Sequence, residues 1–330
     1  MLKVSPAPGG AYARRLLSGS NAGLLAAYIA IVAVFALVSP AFLSTPNLVN
    51  IAQTLAIIAI VAAGQTLVIV TGGVDLSVGA TAAMSGVVIG LLYNDGNGVT
   101  SIWPATLAGI GSGVLVGLLN GLVVTRLRIN PVIATLGSLS VVRGLAFALT
   151  GAETARLEVE SFKFIGRGAI GGVPVPLLFM LVVYAAIYLV LQHTDFGRRI
   201  YAVGGSPEAA RLAGVDVNRA RVWVYVLCSL LSALGGVLLA AQLAASFPKA
   251  ADGLELTVIA AVILGGCSLS GGKGSIVGTL LGVLILRTLD NGLVLANVSS
   301  YYQEVARGAV LLLAVGFDQV RARRLRARRA

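Results

Sequence analysis

Few residues in this chain have chemistry to offer. In "TGGVDLSVG" (71–79) one carboxylate, Asp75, stands among glycines and small polar residues. No other charge occurs from Leu16 to Val74, and none follows until Asp95. A second stretch, "LGGCSLSGG" (264–272), repeats its neighbours. Aligning Gly72–Gly73 with Gly265–Gly266 sets Asp75 opposite Ser268 and Ser77 opposite Ser270, an offset of 193 residues. "GGCSLSGGKGS" also approaches a phosphate-binding loop, but G-x-x-x-x-G-K-[ST] requires glycine at 267 and Ser or Thr at 274. The chain has Cys267 and Gly274. There is no Ser/His/Asp set and no pair of catalytic carboxylates. His193 closes an apolar run with no second ligand near it in sequence, and reads as an interfacial residue. Cys228 and Cys267 both fall in apolar stretches, where a disulfide is not expected. The chain is expected to be no enzyme, with no cofactor or metal of its own.

These residues must be positioned by apolar elements. The chain is 57% hydrophobic and 11% charged, with a mean hydropathy of +0.94, where a soluble domain carries roughly 25% charge. Such a chain belongs in a bilayer, and about 20 apolar residues cross one as a helix. Candidate spans lie near 22–38, 49–70, 77–93, 103–125, 131–150, 174–192, 221–246, 256–270, 274–290 and 303–318. The expectation is an all-α polytopic membrane protein of about ten helices, one domain over 1–330, with broken glycine-rich segments. The glycines at 72–73 and 79 are expected to interrupt the second and third spans. Glycine, 41 of 330 residues, suits close helix approach in membranes.

Ten spans place both ends in the cytoplasm. Of 24 basic residues, 17 then fall inside, including the six arginines of "RARRLRARR" (321–329), as the positive-inside rule asks. The net charge of +11 is topology and attraction to anionic lipid, not nucleic-acid binding. The outer loop 151–173 mixes both signs and is long enough to meet a soluble partner or merely connect.

The loop 193–221 holds "SPEAARLAG". Ser206 suits a cap, Pro207 the first helical position and Glu208 the helix dipole. Gly214 suits a left-handed stop. With Gly204, Gly205, Ala209, Ala210, Arg211 and Leu212 it forms a preformed knob, either a connector or a docking element for a cytoplasmic partner. Residues 1–20 and 319–330 read as cytoplasmic tails.

"TGGVDLSVG", "GRRIYAVGGSPEAARLAGV", "AAVILGGCSLSGGKGSIVGTLLGVLIL" and "NGLVLANVSSYYQ" together resemble the membrane-spanning permease subunit of bacterial ABC importers of the monosaccharide type, those for ribose, xylose and arabinose. The likeness covers roughly residues 45–317; the first 20 residues and the arginine tail depart from it. The resemblance implies a second permease subunit, a cytoplasmic ATPase that binds the ATP, a periplasmic sugar-binding protein and the inner membrane as location. It also implies that 193–221 is the region coupled to the ATPase.

An intramembrane carboxylate is costly and should face the protein interior. Asp75 therefore either accepts bonds from backbone freed at a helix break or lines a path with Gly72, Gly73, Ser77, Gly265, Gly266, Ser268 and Ser270; the former is preferred. Gln53, Gln65, Asn120, Arg143, Gln242, Asn291 and Glu304 are expected to bond between helices, and Glu304 is spaced to pair with Arg307. A self-powered transporter or channel is the competing class, disfavoured by an absence of paired mid-span charges. A branched-chain amino acid permease and a membrane enzyme are further alternatives.

Overall fold

The computed structural model describes residues 19–93 and 98–327 of the chain. The rest of the expected tails, residues 1–18 and 328–330, lies outside them. The helices are α1 Gly19–Val38, α2 Thr45–Val70, α3 Val78–Tyr93, α4 Ile102–Arg126, α5 Pro131–Thr150, α6 Glu160–Arg167 and α7 Val175–His193. They continue with α8 Asp195–Gly205, α9 Pro207–Leu212, α10 Val217–Leu243, α11 Leu254–Leu264, α12 Ile276–Leu295 and α13 Ser300–Ala327. Two minimal antiparallel pairings accompany them. In one, β1 Ala155–Arg156 joins β4 Ala245–Ser246; in the other, β2 Ala169–Ile170 joins β3 Val173–Pro174. The protein is thus a mainly helical, multi-pass membrane chain. Among the described residues α2, α4, α5, α7, α10 and α12 are long and apolar enough to cross a membrane.

Two helices form the centre. From Leu55 onward α2 is almost wholly buried, and α10 packs along it. Their contact requires glycine: a side chain at Gly64 would lie 2.8 Å from Cys228 Cα. On its other side α10 meets a stripe on α4, where side chains at Gly113, Gly117 and Gly121 would meet Ser229 O at 2.7 Å, Tyr225 O at 2.6 Å and Val222 Cα at 2.8 Å. Lipid offers no hydrophobic drive between helices, so this close backbone approach supplies the packing energy. The two cysteines sit apart as buried residues, and His193 is exposed with its ring edge-on to Tyr188 at 6.2 Å.

The segment 151–173 is folded. α6 buries Phe162 beside Trp103, with ring centroids 6.5 Å apart, and Leu157 is also fully buried. Lys163 pairs with Glu158 at 3.0 Å and Glu160 at 2.6 Å. That contact draws the Glu158 carboxyl below its usual range and lifts the Lys163 ammonium above its own.

Two expectations need correction. The segment 256–270 does not form one spanning helix. α11 has 11 residues, about 16 Å at 1.5 Å per residue, near half of a 30 Å hydrocarbon core. It is reached from α10 by residues 244–253, which carry the short strand β4, and ends in a turn. Nor does Gly79 interrupt its span; it lies inside α3, where its bare Cα lets the Ala251 carbonyl and the Glu255 carboxylate approach.

Candidate functional site

Both helix breaks begin with the same stop. After α2, Gly72 takes φ +80°, its N–H donates to Ile69 O (2.9 Å), and Gly73 N–H donates to Val68 O (3.1 Å). After α11, Gly266 takes φ +90°, its N–H donates to Ile263 O (2.8 Å), and Cys267 N–H donates to Val262 O (3.2 Å). This is the Schellman arrangement, whose left-handed residue costs glycine nothing. Geometry therefore matches Gly72 with Gly266, 194 residues apart, not Gly72 with Gly265. The alignment by letters is off by one because each break uses a different member of its glycine doublet at the left-handed position. Asp75 then faces Leu269 in the alignment, and the second break carries no equivalent carboxylate.

Asp75 is fully buried. Its Oδ1 accepts from Ser77 N (2.8 Å) and Ser77 Oγ (2.6 Å), and Ser77 Oγ accepts from Asn120 Nδ2 on α4 (2.8 Å). The Gln65 amide, oriented to satisfy both groups, brackets the Asp75 backbone, donating to its O and accepting from its N, each at 3.2 Å. Thr135 on α5 bonds the same strand, accepting from Leu76 N (3.1 Å) and donating to Val74 O (3.2 Å). Side chains from α2 and α5 thus satisfy the unwound backbone, while Asn120 on α4 holds the Ser77 hydroxyl and Asp75 Oδ2 is left without a hydrogen-bond partner. This geometry supports the structural reading of Asp75.

The loop 193–221 divides into two helices. α9 has the expected punctuation. Ser206 Oγ accepts from Ala209 N (3.2 Å), Pro207 stands first, and Gly214 takes φ +80°. Ala210 is buried. Glu208, Ala209 and Arg211 are exposed, and Leu212 is 92% exposed. Gly204 and Gly205, read from sequence as part of the same knob, instead close α8, a helix the sequence reading missed. Its signal is Thr194, whose Oγ1 accepts from Gly197 N (3.2 Å), followed by Asp195 in the first turn.

α8 brings the loop to both breaks. Gly272 N–H donates to Val70 O (2.8 Å), tying the second break to the end of α2. A side chain at Gly204 would collide with the Val70 carbonyl and the Gly272 amide. One at Gly271 would lie 2.7 Å from Gly204 O and 2.9 Å from Gly72 N, and one at Gly272 would lie 2.8 Å from Gly205 Cα. Tyr201 Oη, on α8, donates to Gly274 O (3.0 Å). Gly72, Gly204 and Gly271–Gly272 form one backbone-to-backbone junction. Ser270 borders it and Ser268 closes the turn beneath, its carbonyl accepting from Gly271 N (2.9 Å). Gly265 packs elsewhere, against the backbone of Gly278 on α12.

Polar residues within the helices bond between elements. Gln53 donates to Arg167 O (3.3 Å), Asn47 and Asn291 exchange amide bonds (3.0 and 2.8 Å), and Arg167 donates to Gln242 O. Arg143 donates to Pro248 O (2.6 Å) and Ala250 O (2.8 Å), holding the irregular segment before α11. The expected Glu304–Arg307 pair does not form. Arg307 instead meets Asp290 (3.4 Å), which also pairs with Arg287 (3.2 Å). The sequence reading's absence of paired mid-span charges is therefore wrong: Arg287 and Asp290 share one helix face, and Arg307 arrives from another element. Two adjoining cavities, about 300 and 270 Å³, share Asp252, Gly253, Thr257 and Arg307 as lining.

With this geometry in view, the family described as the permease component of branched-chain amino acid transport systems matches residues 47–315. The ribose import permease protein RbsC of Bacillus subtilis is 42% identical over 292 residues, 88% of this chain and 89% of its own. RbsC of Escherichia coli K12 is 42% identical over 298 residues, 89% and 92% of the two chains. The L-arabinose ABC transporter permease protein AraH of Azospirillum brasilense is 37% identical over 331 residues, 98% and 97%. No solved structure matches. A chain with paired glycine stops, a buried break and an exposed capped helix beneath them thus belongs to the family of ABC-transport permease components.

Proposed function

We propose that this chain is the path-forming permease subunit of an ATP-driven importer for a monosaccharide of the ribose or arabinose kind. The observation that carries this is the glycine junction: an exposed docking helix, α9, continues through α8 into backbone contact with both helix breaks. A push on α9 from a cytoplasmic ATPase reaches both breaks with no flexible side chain between to absorb it. The relatives' substrates favour a sugar. In this reading the chain is one domain of ten membrane segments, one of them the half-helix α11, in the bacterial inner membrane with both ends cytoplasmic. It pairs with a second permease subunit and receives sugar from a periplasmic binding protein. ATP is bound and hydrolysed by the partner, and Gly204 to Leu212 with Gly214 form the coupling element.

The test is purification of the tagged chain from native membranes in mild detergent, followed by mass spectrometry and uptake of ribose, arabinose and leucine. A stoichiometric ATPase, lost from the Glu208→Ala/Arg211→Ala variant, supports the reading, as does pentose uptake. Recovery of the chain alone, with uptake that survives ATP depletion, leaves a self-powered transporter. Leucine uptake without pentose uptake moves the substrate to branched-chain amino acids.

A further inference from the structure

We infer that the facing ends of α4 and α10 hold the head group of an anionic phospholipid, an inference independent of the importer reading. The two helices run antiparallel and touch backbone to backbone, since a side chain at Gly121 would lie 2.8 Å from Val222 Cα. Beyond that contact, at 1.5 Å per residue, Arg126 lies about 7.5 Å further along α4 and Arg219 about 4.5 Å back along α10. The two therefore sit within about 3 Å of the same depth. A ridge of apolar residues leads up to each. On α4, Leu118, Leu122 and Arg126 follow one another at i+4, and all three are exposed. On α10, Arg219, Trp223 and Leu227 do the same; Arg219 and Trp223 are exposed and Leu227 is partly so. Residues four apart share a helix face. Each ridge is thus apolar along the helix and cationic at its end, where the hydrocarbon stops. The half-exposed Trp223, one turn deeper than Arg219, stands where an interfacial tryptophan belongs.

The charges at this end are in surplus. Residues 122–130 and 215–223 hold four arginines against one acid, Asp216. Asp216 is turned to the backbone, its Oδ1 accepting from Arg219 N at 2.9 Å. Among the described residues, the side chains of Arg126, Arg128 and Arg219 find no ion pair and no hydrogen bond. By contrast, Lys163 lies between Glu158 and Glu160, and Arg143 donates to two carbonyls. Three free guanidiniums at head-group depth select an anion. A phosphate diester suits them, because a guanidinium offers paired donors to its oxygens. The ridges select the form of the phosphate. A free ion makes no use of Leu118, Leu122 and Trp223, whereas acyl chains lie along them. A zwitterionic head group brings a cation of its own, which the arginines repel. Basic pockets between membrane helices bind anionic head groups in this way.

Trp223 reports on the site, being one of two tryptophans in the chain. The full chain, with whatever copurifies, is placed in nanodiscs of phosphatidylcholine that carry either brominated phosphatidylglycerol or brominated phosphatidylcholine as quencher. The quenching that disappears in Trp223→Phe is the signal of the site. A basic residue near an anionic lipid surface is worth about fivefold in affinity, so Arg126 and Arg219 together supply roughly 30-fold. Half-quenching of Trp223 should therefore need at least about tenfold less of the anionic quencher than of the zwitterionic one. In Arg126→Gln/Arg219→Gln the preference should fall to about threefold or less. Both side chains are exposed, so the unfolding temperature of that variant in phosphatidylcholine alone should hold. If it drops, Arg126→Lys/Arg219→Lys keeps the charge and should keep the preference. Equal quenching by the two lipids, a preference that survives the glutamine pair, or its loss from the lysine pair overturns the site. Inorganic phosphate, against chloride at matched ionic strength, should leave the preference in place; reversal by phosphate assigns the arginines to a free anion and overturns the lipid. Loss of copurified ATPase from the glutamine pair with the lipid preference intact assigns them to the protein partner and overturns it as well.

Discussion

Gly204→Ala and Gly205→Ala are the same chemical change on adjacent residues, and the geometry demands opposite results. A methyl at Gly204 would enter space held by the Val70 carbonyl and the Gly272 amide, with Val70 C 2.9 Å away. These are backbone atoms, so no side chain can swing aside. To admit the methyl, α8 must withdraw or the Gly272 N–Val70 O bond (2.8 Å) must open. Leaving a buried backbone group unsatisfied costs about 1–3 kcal/mol, and overpacking a tight contact typically costs about 1–3 kcal/mol. The two routes are partly alternatives, so the expected loss is about 2–4 kcal/mol. At Gly205 a methyl meets nothing within 4 Å. That residue ends a helix in ordinary backbone geometry, where alanine is favoured over glycine by up to about 1 kcal/mol.

The assay is thermal unfolding of the purified chain in detergent, with solute uptake and ATP hydrolysis measured on the copurified complex. Gly204→Ala should lower the unfolding temperature and reduce uptake per ATP hydrolysed. Gly205→Ala should match the original in both. If both variants are silent, the junction is not tight; if both are damaged alike, the loss does not come from the contact with Val70 and Gly272. Either result refutes the reasoning. The unfolding arm stands even if the transported solute proves to be something else.

Three further outcomes are expected. Asp75→Ala strands Ser77 N and Oγ and should destabilise the chain by about 2–6 kcal/mol, since each buried group left unsatisfied costs about 1–3 kcal/mol; Asp75→Asn keeps an acceptor and should lose less, and wild-type unfolding temperature in Asp75→Ala would remove the residue from the account. Leu212→Asp alters a side chain that touches almost nothing in this chain, so the unfolding temperature should hold while copurified ATPase falls; Ser206→Ala, which removes a cap worth about 1 kcal/mol, should weaken the same recovery less. Arg143→Met removes two carbonyl bonds from residues 248 and 250, and hydrogen exchange over 247–253 should accelerate while exchange along α2 does not.

What was legible in the sequence was what local chemistry decides. The Ser–Pro–Glu start and glycine stop of α9 were readable because caps act within a few residues. The apolar segments were readable because the bilayer sets their length. The buried role of Asp75 followed from the cost of its charge. The partners of that charge were not legible: Ser77 is local, but Asn120 and Gln65 arrive from helices far along the chain. The same limit hid the Asp290 cluster, whose Arg287 partner is one turn away but whose Arg307 partner is on another helix. α11 misled because apolar letters continue past its end at Leu264. Hydropathy records that a residue suits a dry setting and is silent on whether its backbone is helical. α8 was missed because its polar composition resembles a connector, and only its packing on the breaks reveals its place.

The two breaks begin alike and end alike, yet differ in the middle, and the difference points to a division of labour. Each opens with a Schellman stop. Each closes with a serine whose carbonyl accepts the first bond of the next helix, Ser77 from Thr81 N (2.8 Å) and Ser275 from Thr279 N (2.9 Å). Between helices the first break has seven residues, 71–77, and the second eleven, 265–275. The shorter break is held from the side by Asp75, Gln65, Asn120 and Thr135, all within the helix bundle. The longer one spends its extra length on a turn through Gly271 and Gly272, at φ +79° and +71°. That turn reaches out of its own hairpin to touch α2 and α8. A buried carboxylate cage resists displacement, because moving it strands several polar groups at once. A glycine turn tied to its neighbours by the Gly272 N–Val70 O and Tyr201 Oη–Gly274 O bonds and by close contact, with no buried side-chain cage, moves at lower cost. Force arriving at α9 should therefore displace the second break, together with α11 and the cavity wall it carries, while the first break serves as the fixed point. Spin labels on α3 and α11 of the assembled complex would then report a change in separation on nucleotide binding, with the distance from α3 to α4 constant. Equal movement of α3 against α4 would put the pivot elsewhere.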